Sequence, residues 1–386
     1  MTDLERILPL WHELESSGVD YVLATVVAVE GSSYRKPGAR MLLAADGRRA
    51  GTVSGGCLEA EVAQRAWWLT SKGPVVERYS TAEEDGERPY GSGCGGVVYL
   101  LLERRQTASR LLNALVAAFH ERKPLAITTV LEGPQIGRRA FAGLPKASPE
   151  ALSIDAVKNC ADCAELHDLA AQAFQQRTSI DRNILLNRVP TRVFADYRPA
   201  RPGLWIFGAG DDARPLLHLA RELGWFVAVA DGRSHLTTRD RFTQADVVLT
   251  LPIDDLPGVA AEHFDVHRTD AAVVMTHSFD QDAHIVASLL DDSFDLPLAY
   301  LGVLGPQRRT REVLAEAARL RNLAATTDRI ERWLEQLHAP TGLDLGAETP
   351  ATVALSILAE IQQVLTAASA APLRQVRASK VAATQV

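Results

Sequence analysis

Leu204-Trp205-Ile206-Phe207 runs directly into Gly208-Ala209-Gly210-Asp211-Asp212-Ala213, and a second apolar run at 226–230 ends in Asp231. A strand, a turn of the form G-x-G-x-x-A and a helix, in that order, leave few topologies open. The two strands must be parallel because a helix crosses between them, and such units build sheets with helices on both faces. The alternation continues, with strands expected at 246–250, 271–275 and 298–302 and helices at 212–223, 280–291 and 306–323. Residues 199–340 are therefore expected to form a Rossmann-like, doubly wound parallel sheet.

The preceding residues follow another pattern. Leu4, Ile7, Leu8, Trp11 and Leu14 fall at helical spacing. Short β-rich runs at 21–29, 41–44, 51–53, 75–79, 97–103 and 125–131 surround helical stretches that start near 54–56 and at 108. Antiparallel pairs among helices predict an α+β domain over 1–132. The pattern weakens over 133–198, with helical stretches at 150–158 and 162–176 and strands near 184–187 and 191–195, and this segment reads as an insertion or linker. Residues 341–370 hold a motif and a helix opened by Thr349 as N-cap and Pro350 at the first helical position, and 371–386 read as a tail. The fold class is α/β, an α+β domain followed by the Rossmann-like sheet.

Composition removes several function classes. Lys and Arg number 41 against 48 Asp and Glu, a net charge of −7, so no nucleic-acid partner is expected. No apolar stretch approaches the length of a membrane span. The N-terminus has no basic region leading into an apolar one, so no secretory signal is expected, and four cysteines are too few for a disulfide scaffold. The expected setting is cytoplasmic.

Several segments could carry chemistry. In the turn after 204–207, Gly208 and Gly210 allow a tight bend, and the helix N-terminus offers free N–H groups to a phosphate. Asp231 stands where an acidic residue would meet a ribose hydroxyl. Asp211 and Asp212, however, put two carboxylates where a pyrophosphate would sit, so NAD(P) binding is open to doubt. In Ser54-Gly55-Gly56-Cys57-Leu58-Glu59, Cys57 falls in the first turn of the expected helix, where a thiol pKa is lowered, making it a candidate reactive thiolate or soft-metal ligand. Cys94 stands among four glycines at 91–96, and the two cysteines could share one site or form a redox pair. Arg35, Lys36 and Arg40 in Gly31-Ser32-Ser33-Tyr34-Arg35-Lys36-Pro37-Gly38-Ala39-Arg40 suit an anion. Cys160 and Cys163, with His167, have only partial zinc spacing. His277, after the strand at 271–275, and Arg308, after Gly305, could face a common crevice at the carboxyl edge of the sheet.

Taken in this order, the segments resemble the XdhC/CoxI family of accessory proteins for molybdenum hydroxylases. The resemblance rests on 31–41, 54–59 and 93–96, then on the 208–213 turn, Met275-Thr276-His277, Tyr300-Leu301-Gly302, His338-Ala339-Pro340-Thr341-Gly342-Leu343-Asp344-Leu345-Gly346-Ala347 and the helix at 354–361. It implies a chaperone that binds the molybdenum cofactor (molybdopterin), helps exchange an oxo ligand for sulfide, and delivers it to an apo-hydroxylase of the xanthine or carbon monoxide dehydrogenase type. A cysteine desulfurase supplying sulfur and a homodimer are implied as partners. Carried onto this chain, Cys57 and Cys94 are the working thiols, with Cys57 facing molybdenum. Cofactor contacts would come from Arg35, Lys36, Arg40, Gly55, Gly56, Glu59, Gly208, Gly210, Asp231, His277, Gly305 and Asp344. Asp211 replaces a histidine common in that family, and Pro306-Gln307 replaces Ser-Arg. The other expectation is an NAD(P)-dependent oxidoreductase using the C-terminal crevice.

Overall fold

The structure is a computed structural model that describes residues 2–56, 58–80, 96–144, 161–251, 266–290 and 298–376, with the side chains of 161–163 excepted. The chain divides into two units, Met1–Arg201 and Pro202–Val386.

The first unit opens with α1 (Asp3–Ser17) and β1 (Tyr21–Glu30), then β2 (Arg40–Ala44), β3 (Arg49–Gly51), α2 (Glu59–Leu69), β4 (Val75–Ser80), β5 (Val97–Arg104) and α3 (Arg105–His120). Its five strands form an antiparallel sheet in the order β3-β2-β1-β5-β4. Successive side chains of a strand point to opposite faces. In β1, Tyr21 and Leu23 therefore pack with Trp11 and Leu14 of α1 and Leu111 of α3, while Val22, Ala24 and Val26 pack with Val62 and Ala66 of α2. Both faces are covered, which is why β1 reads as a nearly continuous apolar run.

The structure departs from the expected boundary at 132/133. β6 (Leu125–Val130) pairs with β7 (Arg139–Ala142) and with β9 (Val189–Arg198), and β9 pairs with β8 (Ile180–Leu186). The result is a second antiparallel sheet, β7-β6-β9-β8. α4 (Ala161–Gln176) covers it through Leu166, Leu169 and Ala173. The segment thus belongs to the first unit. Local periodicity misses it because β6 finds its partner β9 far along the chain, and because the edge strand β8 exposes Leu185 beside polar residues. The helix expected at 150–158 lies outside the described residues.

Two buried ion pairs join these sheets. Arg139 of β7 meets Glu103 of β5 with side chains 5% and 0% exposed, and Arg40 of β2 meets Asp196 of β9 at 2.8 Å. Val27, Leu101, Leu131 and Phe194 fill the apolar gap between them.

The second unit contains β10 (Gly203–Phe207), α5 (Ala213–Glu222), β11 (Phe226–Asp231), β12 (Val247–Thr250), β13 (Ala271–Val274), α6 (Phe279–Leu289), β14 (Tyr300–Val303), α7 (Gln307–Leu320), α8 (Thr327–Gln336) and α9 (Pro350–Thr366). Its strands are all parallel in the order β12-β11-β10-β13-β14, so the doubly wound sheet expected from the alternation is present. α6, α7 and α8 cover one face, and α5 and α9 the other. α8 escapes the apolar periodicity because it buries only Trp333 and Leu334. Past α8, His338 bridges to Gly302 in parallel, so the segment from His338 extends the sheet beyond β14. Among the described residues, no helix is long and apolar enough to cross a membrane.

Breaking a buried pair costs about 3–5 kcal/mol, because the surviving charge is left uncompensated. Arg139→Met should therefore lower unfolding stability by about that much, while the double change Arg139→Met, Glu103→Leu should recover most of it. Chemical denaturation of the three proteins checks this; equal losses in the single and double variants would contradict it.

Candidate functional site

β1 ends at Glu30, opposite Val97 of β5. The chain then leaves the sheet through Gly31–Gly38 and is closed back on β1 by Gly38 N–H to the Val26 carbonyl and Val26 N–H to the Ala39 carbonyl. This loop meets two other glycine-rich segments. A side chain at Gly96 would collide with the Ser32 carbonyl, and one at Gly55 would touch the Tyr34 ring at 3.7 Å. The structure therefore brings together, at the carboxyl end of β1, the segments 31–38 and 54–56 and the residue that ends the 91–96 glycine run. Tyr34 stands there with 72% of its surface exposed. It is the site residue that sequence reading passes over; its signal is an aromatic amid glycines and cations.

Glu59 organises the turn before α2. Its Oε1 accepts from Thr52 Oγ1–H, Val53 N–H and Ser54 N–H, and its Oε2 accepts from Ser54 Oγ–H. The Ser54 hydroxyl in turn accepts the N–H groups of Gly56 and Leu58. Burial alone would raise the Glu59 carboxyl, but the hydrogen bonds from Ser54 and Thr52 outweigh it and hold the pKa below the usual carboxylate value. Glu59 thus faces its own loop, not open space. The helix also starts later than expected: α2 begins at Glu59, with Leu58 as its N-cap. Cys57, Cys94 and Cys160 lie outside the described residues, as does the side chain of Cys163; His167 is exposed on α4.

Of the three candidate cations, Arg40 is unsuited to a ligand. Its guanidinium is buried and donates to the Gly38 carbonyl and to Asp196, and desolvation draws its pKa down to about 10. Arg35 is half-buried and pairs with Asp3. Lys36 is exposed.

In the second unit, the loops after β10 and β13 flank the point where strand order reverses, the usual ligand crevice of such sheets. Gly208 takes φ +135°, and a Cβ there would meet the Met275 carbonyl oxygen at 2.5 Å, so only glycine lets the two loops approach. Asp231 does not fit the expected ribose contact. It is 0% exposed; one oxygen accepts Ala209 N–H and the other Arg233 N–H, while the Arg233 guanidinium bonds both. Burial would raise its carboxyl, yet these donors hold the pKa low. Asp211 is exposed and pairs with Arg241 at 3.0 Å, and Asp212 with the His277 ring at 2.8 Å. Arg308 does not join His277; it is exposed and pairs with Glu312. Its neighbour Arg309 turns inward instead, onto Asp282 at 2.7 Å. Gly305 precedes α7 with φ +119°. Asp344 is exposed in a loop whose Gly342 N–H is held by Glu360, which also accepts from Tyr300 and contacts the His338 ring. Among the described residues, no group of three His, Cys, Asp or Glu side chains could hold a metal ion.

Residues 204–361 match the model of the XdhC Rossmann domain, and residues 14–80 that of the XdhC and CoxI family. The chain is 32% identical over 345 residues to a Bacillus subtilis protein named as a probable subunit of xanthine dehydrogenase, covering 89% of this chain and 92% of the relative. It is 35% identical over 137 residues to the molybdenum cofactor insertion chaperone PaoD of Escherichia coli, covering 33% of this chain and 40% of that protein. A crystal structure described as a xanthine dehydrogenase from Bacillus halodurans superposes with a TM-score of 0.66 at 26% identity, over 96% of this chain and 98% of the other.

Glu59 has a depressed pKa, so its stabilising bonds are complete above the ordinary carboxylate value of 4.5 and are lost as pH falls through the lower folded value. Glu59→Gln should cost about 1.5–3 kcal/mol at neutral pH, the range for hydrogen bonds to a charged group. The gap between wild type and variant should close in acid. Denaturation measured at neutral pH and at about pH 3, below the usual carboxylate range, checks it; a gap independent of pH would contradict the assignment.

Proposed function

The chain belongs to the XdhC and CoxI family, and from that premise we propose that it is a maturation chaperone that binds the molybdenum cofactor and helps install it in an apo molybdenum hydroxylase. The observation that carries this reading is the 32% identity that runs through both units. The PaoD likeness adds the cargo, since that relative is named for inserting the molybdenum cofactor.

The cofactor's recognition chemistry is a flat pterin, a phosphate and a soft metal held by sulfur. The edge at the end of β1 offers a matching set. The exposed Tyr34 ring gives a flat face beside Gly55. Arg35 and Lys36 supply cations, with Arg35 exchanging part of its Asp3 pairing for a phosphate. Cys57 and Cys94, which flank the described residues of this edge in sequence, are the thiolates for molybdenum or for the incoming sulfur. Glu59 and Ser54 act as positioning residues, because they fix the turn that leads to Cys57. Arg40 and Asp231 are assigned to the scaffold. The partners are an apo-hydroxylase, a cysteine desulfurase as sulfur source and a second copy of the chain, acting in the cytoplasm. The dinucleotide oxidoreductase reading is the weaker one, because Asp231 has no acceptor left for a ribose.

Two measurements test this. Cys57→Ala should lose cofactor, read as molybdenum retained after gel filtration, more than Cys160→Ala does; equal retention would remove Cys57 from the site. The double change Arg35→Ala, Lys36→Ala should weaken binding at low salt at least tenfold, since a charge-assisted contact contributes about 1.5–3 kcal/mol. Unchanged affinity would rule out their phosphate role.

A further inference from the structure

We propose that Asp212, fixed by His277, closes the glycine-rich loop of the second unit to dinucleotide phosphates. The inference goes beyond the chaperone reading and does not depend on it. In a nucleotide-binding loop of this form, the second glycine is bare so that the backbone can approach the pyrophosphate. Here the space beside Gly210 is already taken: a Cβ on Gly210 would collide with the Asp212 Oδ1 atom. The chain's own carboxylate lies over the loop where an anion would be received.

The carboxylate is held there. Its Oδ2 lies 2.8 Å from Nε2 of His277. His277 follows β13, across the switch point from β10, and adopts φ +61°. A left-handed backbone is uncommon for any residue but glycine, and is maintained only where the surroundings fix it. The contact therefore ties the two loops that flank the crevice. The cation beside the loop is already engaged by the loop itself, because Arg241 donates to the Ala209 carbonyl and to Asp211. The ribose position is closed as well, by the Arg233 and Ala209 bonds to Asp231. Yet the loop keeps donors for an anion. Among the described residues, no backbone carbonyl takes the N–H groups of Gly210, Asp211 or Asp212. An intact anion seat with an internal carboxylate across it is a blocked site, and Asp212 is its specificity-determining residue.

Asp211 serves as the internal control. It carries the same charge one residue away, but it is 83% exposed and turned to Arg241. Titration calorimetry of the full chain with NADH and with ADP reads the difference, with thermal melts confirming that each variant is folded. Wild type should show no saturable binding at ligand concentrations below about millimolar. Asp212→Asn, which removes the charge, and Asp212→Ala, which also removes the bulk, should bind at least tenfold more tightly, and Asp211→Asn should stay at the wild-type level. Low-micromolar binding by wild type would overturn the proposal outright. So would an absence of gain in both folded Asp212 variants, or an equal gain in Asp211→Asn.

Discussion

Carboxylates that grip the backbone N–H groups of a turn or loop are the interaction on which the loop geometry of both units depends. Glu59 receives Val53 and Ser54 N–H groups in the first unit. In the second, Asp231 receives Ala209 N–H, Asp282 receives Thr276 N–H, and Glu360 receives Gly342 N–H. Loops rich in glycine lose more conformational entropy on folding than others, so they need such anchors to hold one shape. Burial penalises a carboxylate's charge, and hydrogen bonds to the charged form offset that penalty. For Glu59, Asp231 and Glu360 those bonds prevail, since all three pKa values lie below the ordinary one.

That device also explains where sequence reading succeeds and where it stops. The residue types at functional loops are legible: glycines, hydroxyls and an acid at fixed spacing. The direction in which the acid faces is not. Asp231 occupies the sequence position of a ribose acceptor, yet its oxygens are consumed by Ala209 and Arg233. Glu59 sits in a motif read as cofactor-binding, yet it holds Thr52, Val53 and Ser54. A one-dimensional pattern records chemistry and spacing, but a rotamer is set by three-dimensional packing. The same limit applies to Arg40, whose partner Asp196 lies far along the chain.

The fold is easier to read where contacts are local. Each β-α-β crossover of the second unit repeats a local pattern, and the observed strands fall close to the expected ones. The second sheet of the first unit is obscured because β6 pairs with β9 across α4, and the edge strand β8 has one unpaired side. Family resemblance reaches further than periodicity, because it weighs many short motifs in order, and residues 14–80 and 204–361 match that family's models.

The two units thus divide the labour differently from what their folds alone imply. The first gathers an exposed aromatic, cations and glycine turns at one end of β1. The second keeps the dinucleotide scaffold but covers its phosphate loop with Asp212. The central claim is that this chain carries molybdenum cofactor to a client. The direct measurement is transfer: full-length protein loaded with cofactor, freed of excess by gel filtration, and mixed with an apo xanthine dehydrogenase-type hydroxylase. The account predicts that molybdenum moves to the client and hydroxylase activity appears with it. Free cofactor that activates the client, beside a chain that retains no molybdenum or delivers none, would contradict it.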